Sequence, residues 1–176
     1  MRNYLITALL YGATVLTACS GGSSEKEIAS ANLETTADGK EMGQAKFFQL
    51  NNGQIKMVLD VNYPSRADST VAVHFHEHGD CGNMGENAHG HWNPTKENHG
   101  KWGSEAYHAG DIGNIQLDDK GHGTISVTTD RWNIKDKDDA SIIGRGIIVH
   151  GGTDDYKTQP TGNSGPRIGC GVITKI

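Results

Sequence analysis

The sequence lacks a cationic surplus, a membrane-length apolar run and a helical stripe, and it has only three cysteines. Sixteen Lys and Arg stand against 21 Asp and Glu, for a formal charge of −5 with His neutral. Gripping nucleic acid requires a cationic face that neutralises phosphates, so this balance argues against a nucleic-acid partner. The apolar stretch from Tyr4 to Ala18 is shorter than the about 20 residues a spanning helix needs. Glycine, by contrast, is abundant: 24 of 176 residues, roughly twice the usual ~7%, without the G-X-Y period of collagen. Together with the 35% hydrophobic fraction it describes a chain of one domain with many tight turns and enough apolar residues for a core. The histidines are unevenly spread. Of nine, none precedes His74 and seven lie between His74 and His108.

Residues 1–18 read as a signal peptide excluded from the fold: one positive charge at Arg2, an apolar stretch, small residues, then Cys19. Leu16-Thr17-Ala18-Cys19 resembles a bacterial lipobox, which implies cleavage before Cys19 and its lipidation. Three cysteines leave one odd member, and lipidation accounts for it. Residues 19–32, polar at their start, are expected to act as a flexible tether, with the domain at 33–176. More than one acyl chain gives stable anchoring. Ser20, where enteric bacteria use Asp for inner-membrane retention, points to the outer membrane of a bacterial envelope, with the leaflet open. Removing residues 1–18 takes away Arg2 alone, so the formal charge falls from −5 to −6.

Beyond Leu33, alternation and β-branching predict strands over Ala45 to Leu50, Gln54 to Val61, Thr70 to Phe75, Gly123 to Thr128 and Ile142 to His150. Asn51-Asn52-Gly53 predicts a hairpin turn between the first two. This is an all-β pattern, a sandwich or flattened barrel. Asp80 to Gly113 shows little strand character. A loop of over thirty residues in a compact domain is usually functional.

His74 and His76, at i and i+2, share one strand face while Val71, Val73 and Phe75 take the other. The apolar set is the expected core, so both imidazoles face away from it. His150 alternates with Ile147 and Val149 in the same way. The long loop adds His91, His99, His108 and Asp111 at intervals of eight, nine and three. Imidazole suits Zn and Cu, and three imidazoles with one carboxylate fill a closed, structural zinc site that could order the loop.

The chain resembles copper/zinc superoxide dismutases through His74-Phe75-His76-Glu77-His78-Gly79-Asp80-Cys81, His91-Trp92-Asn93-Pro94, His99-Gly100 and His108-Ala109-Gly110-Asp111. Ile143-Gly144-Arg145, Val149-His150 and the stretch from Gly162 to Val172 continue the likeness. The resemblance covers about residue 70 onward and implies a Greek-key sandwich with long metal-binding and electrostatic loops. It implies one copper and one zinc per subunit: His74, His76, His91 and His150 as copper ligands, His91, His99, His108 and Asp111 as zinc ligands, with His91 bridging. It implies a Cys81–Cys170 disulfide and a supporting role for Asp154, beside Asp155. Superoxide is the implied substrate, dismutated to dioxygen and hydrogen peroxide, with Arg167 beside copper holding the anion. His91 is implied to leave copper on reduction and deliver a proton to peroxide. A homodimer is compatible with the resemblance, and so is a protective role in the envelope.

Departures are equally visible. Val71-Ala72-Val73 stands where the family often has His-Gly-Phe before the first ligand, and the loop carries an insertion around Asn83 to Asn87. Residues 151–166 hold a single lysine, Lys157, which leaves steering of an anion toward an acidic protein in question. His78, His89 and His122 match no ligand position and are expected to face solvent. A non-catalytic metal-storage or delivery lipoprotein is the competing reading; it would not need Arg167. A structural sandwich with incidental histidines fails on spacing.

Overall fold

A computed structural model describes residues 25–176. The expected signal peptide, Cys19 and the start of the expected tether lie outside the described residues. Among the described residues, no helix is long and apolar enough to cross a membrane.

The strands are β1 (Lys26–Thr35), β2 (Glu41–Gln49), β3 (Ile55–Asn62), β4 (Thr70–His76), β5 (Asp111–Gln116), β6 (His122–Thr129), β7 (Gly146–His150), β8 (Arg167–Val172) and the short β9 (Thr174–Lys175). All the strand pairings are antiparallel. The order β5-β4-β7-β8-β1-β2-β3-β6, with β5 near β6, makes a nearly closed eight-stranded barrel, and β9 adds to β1. Two crossings, β3 to β4 and β6 to β7, interrupt the hairpins and give the Greek-key order.

The core follows from alternation. Phe47, Met57, Leu59, Val71, Val73, Phe75, Ile147 and Val149 are fully buried inside the barrel. The hairpin turn forms as expected, with the Leu50 and Gly53 N–H groups bonded across it to Gln54 and Leu50 carbonyls.

Three starts differ from the sequence reading by several residues, and one is β2, which is extended by its pairing with β1 and β3 and begins at Glu41, not Ala45. The domain begins at Lys26, not Leu33, because β1 pairs along its length with β2, so residues 26–32 belong to the barrel and not to a tether. β7 begins at Gly146, not Ile142: Gly144, at φ 78, and the Arg145 N–H to Ile142 carbonyl bond turn the chain there.

The long loop returns over the outer face of β4. His76 bridges to His91, and the His74 register partner is Asp111 at the start of β5. Within it, a 3-10 segment, Asn83–Ala88, breaks at Met84 and Gly85, both with positive φ. The Cys81–Cys170 disulfide, with Cα atoms 5.7 Å apart, ties this loop to β8.

Candidate metal centre

The alternation of β4 puts His74 and His76 on the face away from the barrel core, yet both are buried because the loop closes over them. His150 arrives from β7, paired to β4 with His150 opposite Ala72. The loop supplies His91, His99 and His108, and β5 supplies Asp111. All seven are at least 95% buried. They form two groups that share one member: His74, His76, His91 and His150, and His91, His99, His108 and Asp111, with the ligand atoms of each group within 4.8 Å of one another.

Hydrogen bonds decide which nitrogen of each ring is free. His76 Nδ1 donates to the His89 carbonyl at 2.9 Å, and His150 Nδ1 donates to the Gly165 carbonyl at 3.1 Å. Each bond fixes the tautomer and leaves a lone pair on Nε2. Those two Nε2 atoms lie 3.4 Å apart, lone pair toward lone pair. His74 Nε2 donates to Asp154 Oδ2 at 2.8 Å and His99 Nε2 to Asp154 Oδ1 at 2.9 Å. One carboxylate therefore orients a ring in each group, as supporting carboxylates of metal-bound histidines do. Asp155 is exposed and instead accepts bonds from Lys157 and Thr158 in its own turn.

Among the described residues, four buried ring nitrogens have no hydrogen-bond partner: His74 Nδ1 and His91 Nε2 in the first group, His99 Nδ1 and His108 Nδ1 in the second. His99 Nδ1 and His108 Nδ1 sit 3.0 and 3.2 Å from Asp111 oxygens without bonding to them. Buried polar atoms left without partners are costly. Here they converge with His91 Nδ1, 2.9 Å from Asp111 Oδ1, and a cation at each convergence would satisfy them. The donor set fits: four imidazoles suit copper, and three imidazoles with one carboxylate suit zinc.

Electrostatics points the same way. Burial pushes the His76 imidazolium pKa down to about 2, His150 to about 3 and His91 to about 4, and lowers His74 as well. These rings are thus neutral at pH 7, the form that binds metal. Burial also opposes a charge on His99, but the Asp111 and Asp154 carboxylates beside it outweigh burial and raise it to about 9. Both carboxylates lie well below their ordinary values: burial works to raise them and the surrounding histidines overcome it.

Arg167, at the start of β8, pairs with His150 across a bulge. Its guanidinium bonds to the Gly85 carbonyl at 2.5 Å and the His89 carbonyl at 2.6 Å, and its charge helps to lower His76 and His150. Two contributors escape a reading of the sequence. Glu86 places Oε1 3.5 Å from Arg167 Nε, a contact created only by the folding of the insertion. Gly162, at φ 66, lies on the Asp154–His99 pair so closely that a Cβ would collide with both side chains. Its signal was present only as one glycine among many. His122 pairs with Asp60 on the surface at 2.8 Å. His78 and His89 are exposed, as expected, but meet at Glu77.

Residues 41–173 match the family model described as copper/zinc superoxide dismutase (SODC). The chain is 39% identical over 150 residues to "Superoxide dismutase [Cu-Zn] 1" of Aquifex aeolicus, covering 80% of this chain and 88% of the relative. It is 35% identical over 172 residues to that organism's "Superoxide dismutase [Cu-Zn] 2", covering 96% and 98%. Among solved structures, a double mutant of a SOD-like protein from Bacillus subtilis superposes with a TM-score of 0.73 at 29% identity, over 82% of this chain and 96% of that one. With two convergent histidine groups of the right chemistry on a barrel of this kind, the chain belongs to the copper/zinc superoxide dismutase family, oxidoreductases that take copper and zinc and act on superoxide.

Proposed function

We propose that His74, His76, His91 and His150 hold copper, that His91, His99, His108 and Asp111 hold zinc, and that His91 joins the two. The observation that carries this reading is the pair of buried groups meeting at one ring, His91 offering Nε2 to one and Nδ1 to the other. Copper supplies the one-electron redox change, and zinc, without redox chemistry, organises the site. Two superoxide anions and two protons become dioxygen and hydrogen peroxide. The Arg167 guanidinium, held by two loop carbonyls, receives the anion by charge and hydrogen bond. When it is not holding copper, His91 Nε2 would carry the proton that peroxide takes up. Asp154 keeps His74 and His99 in the tautomers that leave their Nδ1 atoms free.

The purified protein loaded with copper and zinc is expected to consume superoxide far faster than the same concentration of free copper, as followed by pulse-generated superoxide decay. Metal-saturated protein no faster than free copper would reduce it to a storage or delivery protein. Glu86 offsets part of the Arg167 charge, so Glu86→Gln is expected to raise kcat/KM about two- to threefold at low ionic strength, with the gain fading above about 0.5 M salt as screening takes over. A gain independent of salt would point away from steering.

Zinc binding must displace the His99 proton. Because the metal-free pKa is raised to about 9, apparent zinc affinity is expected to rise about tenfold per pH unit from neutrality up to about pH 9 and then level off. Competition with a chelator of known pH dependence measures this slope. The same group lends the metal-free fold stability that is complete below the unfolded histidine value near 6.5 and lost as pH rises through 9.

The reading extends to the cell. Residues 1–18 direct export, lipidated Cys19 anchors the protein to the outer membrane of a bacterium, and the enzyme removes superoxide arising outside the cytoplasm. What supports this is the lipobox-like run ending at Cys19, outside the pairing of Cys81 with Cys170. Cys19→Ser is expected to move the protein from the membrane to the soluble fraction.

A further inference from the structure

His78 and His89 are the histidines that the buried groups do not use in the loop region, and the fold brings them together with Glu77. Their ligand atoms lie within 4.8 Å of one another. The rings of His78 and His89 meet edge to face at 4.7 Å, and His89 Nδ1 is 3.9 Å from Glu77 Oε2. All three side chains are exposed. Tetrahedral zinc with bonds of 2.0–2.1 Å spaces its ligand atoms about 3.4 Å apart, so small rotations of exposed side chains close the remaining gap.

The backbone beneath is fixed. Glu77 N–H bonds to the Gly90 carbonyl at 3.0 Å and His78 N–H to the Ala88 carbonyl at 3.2 Å. His89 N–H bonds to Glu86, and its carbonyl receives both His76 Nδ1 and Arg167 Nη2. These bonds hold His89 at φ 63, ψ −139, a conformation ordinarily left to glycine. A histidine sits there nonetheless, aimed at the other two.

The geometry points to a third metal site: Glu77, His78 and His89 bind a divalent cation that prefers imidazole, Zn(II) or Cu(II), at the protein surface, with water completing its coordination. Arg145 donates to the Glu77 carbonyl at 2.9 Å, and its charge opposes a dication. The Glu77 carboxylate offsets that charge. The site therefore binds more weakly than the buried groups and exchanges with solvent. It is independent of how the buried groups divide copper and zinc.

The test uses protein already loaded with copper and zinc and freed of loosely held metal, titrated with Zn(II) by calorimetry. One additional equivalent per chain is expected, removable by mild chelation while elemental analysis shows buried copper and zinc retained. His78→Ala and Glu77→Ala, at exposed side chains that the buried groups do not use, should each abolish the additional equivalent with buried metal content and superoxide consumption unchanged. Among the described residues the His78 side chain makes no hydrogen bond, and the Glu77 side chain is exposed, so neither variant should cost the fold. No additional equivalent in the parent protein, or one that survives in both variants, overturns the site.

Discussion

Replacing Cys81 and Cys170 together by Ser is expected to lower the unfolding free energy of the metal-free protein by about 4–5 kcal/mol. The two residues are 89 apart in sequence, and in the chain-entropy picture cross-linking a loop of that length removes a large share of the unfolded chain's freedom. Because folding stability is typically about 5–15 kcal/mol, such a loss brings the metal-free protein close to unfolding at 37 °C. Copper and zinc held as proposed would join some of the same segments through His76, His91 and His150, so loaded protein should lose less apparent stability. Denaturant titrations of both forms measure the two losses. Equal loss in loaded and metal-free protein would show that the metals and the disulfide restrain different parts of the chain. There is also a functional consequence, since the disulfide ties β8, which begins with Arg167, to the loop whose carbonyls hold that guanidinium.

Arg167→Ala is expected to lower kcat/KM for superoxide by about 10- to 100-fold, the range over which local charge changes anion encounter, with copper and zinc content unchanged. Arg167 bonds to Gly85 and His89 carbonyls as well as presenting its charge, so the Ala variant removes both functions. Arg167→Lys separates them: it restores the cation without the fork that reaches two carbonyls. Partial recovery that disappears at high salt is expected from charge alone. An unaltered rate in Arg167→Ala would remove this residue from the site.

Much of this was legible because β4 and β7 obey a strict two-residue period. Val71, Val73 and Phe75 on one face of β4 dictate His74 and His76 on the other, and the structure keeps that division. The missed strands have local reasons. In β1 a register shift between Glu27 and Ala29 buries Ile28 and Ala29 in succession and breaks the alternation. In β8, Gly169 and Gly171 look like turn residues, but a Cβ at either would collide with Met42 or the Asn32 backbone, so glycine there serves close packing between strands. β5 begins at Asp111, where a strand is recruited by pairing with β4 and not by its own propensity.

The site divides similarly. Its ligand-type residues can be read from spacing and family likeness, because imidazole and carboxylate carry the chemistry in their identity. The partners that fix the His76 and His150 rings cannot, because they are backbone carbonyls. His89 and Gly165 accept from His76 and His150 through atoms every residue possesses. Only the folded chain distinguishes them. The choice between Asp154 and Asp155 is likewise one of burial: the first touches His74 and His99, the second caps an exposed turn.

The shared ring of His91 is the central claim, and paramagnetic coupling tests it most directly. Protein carrying Cu(II) in the four-histidine group and Co(II) in the group containing Asp111 should lose the ordinary Cu(II) electron paramagnetic resonance signal at low temperature, because one imidazolate joins the two spins. Zn(II) in place of Co(II) should restore it. A full, unperturbed Cu(II) signal beside bound Co(II) would contradict a bridge through His91.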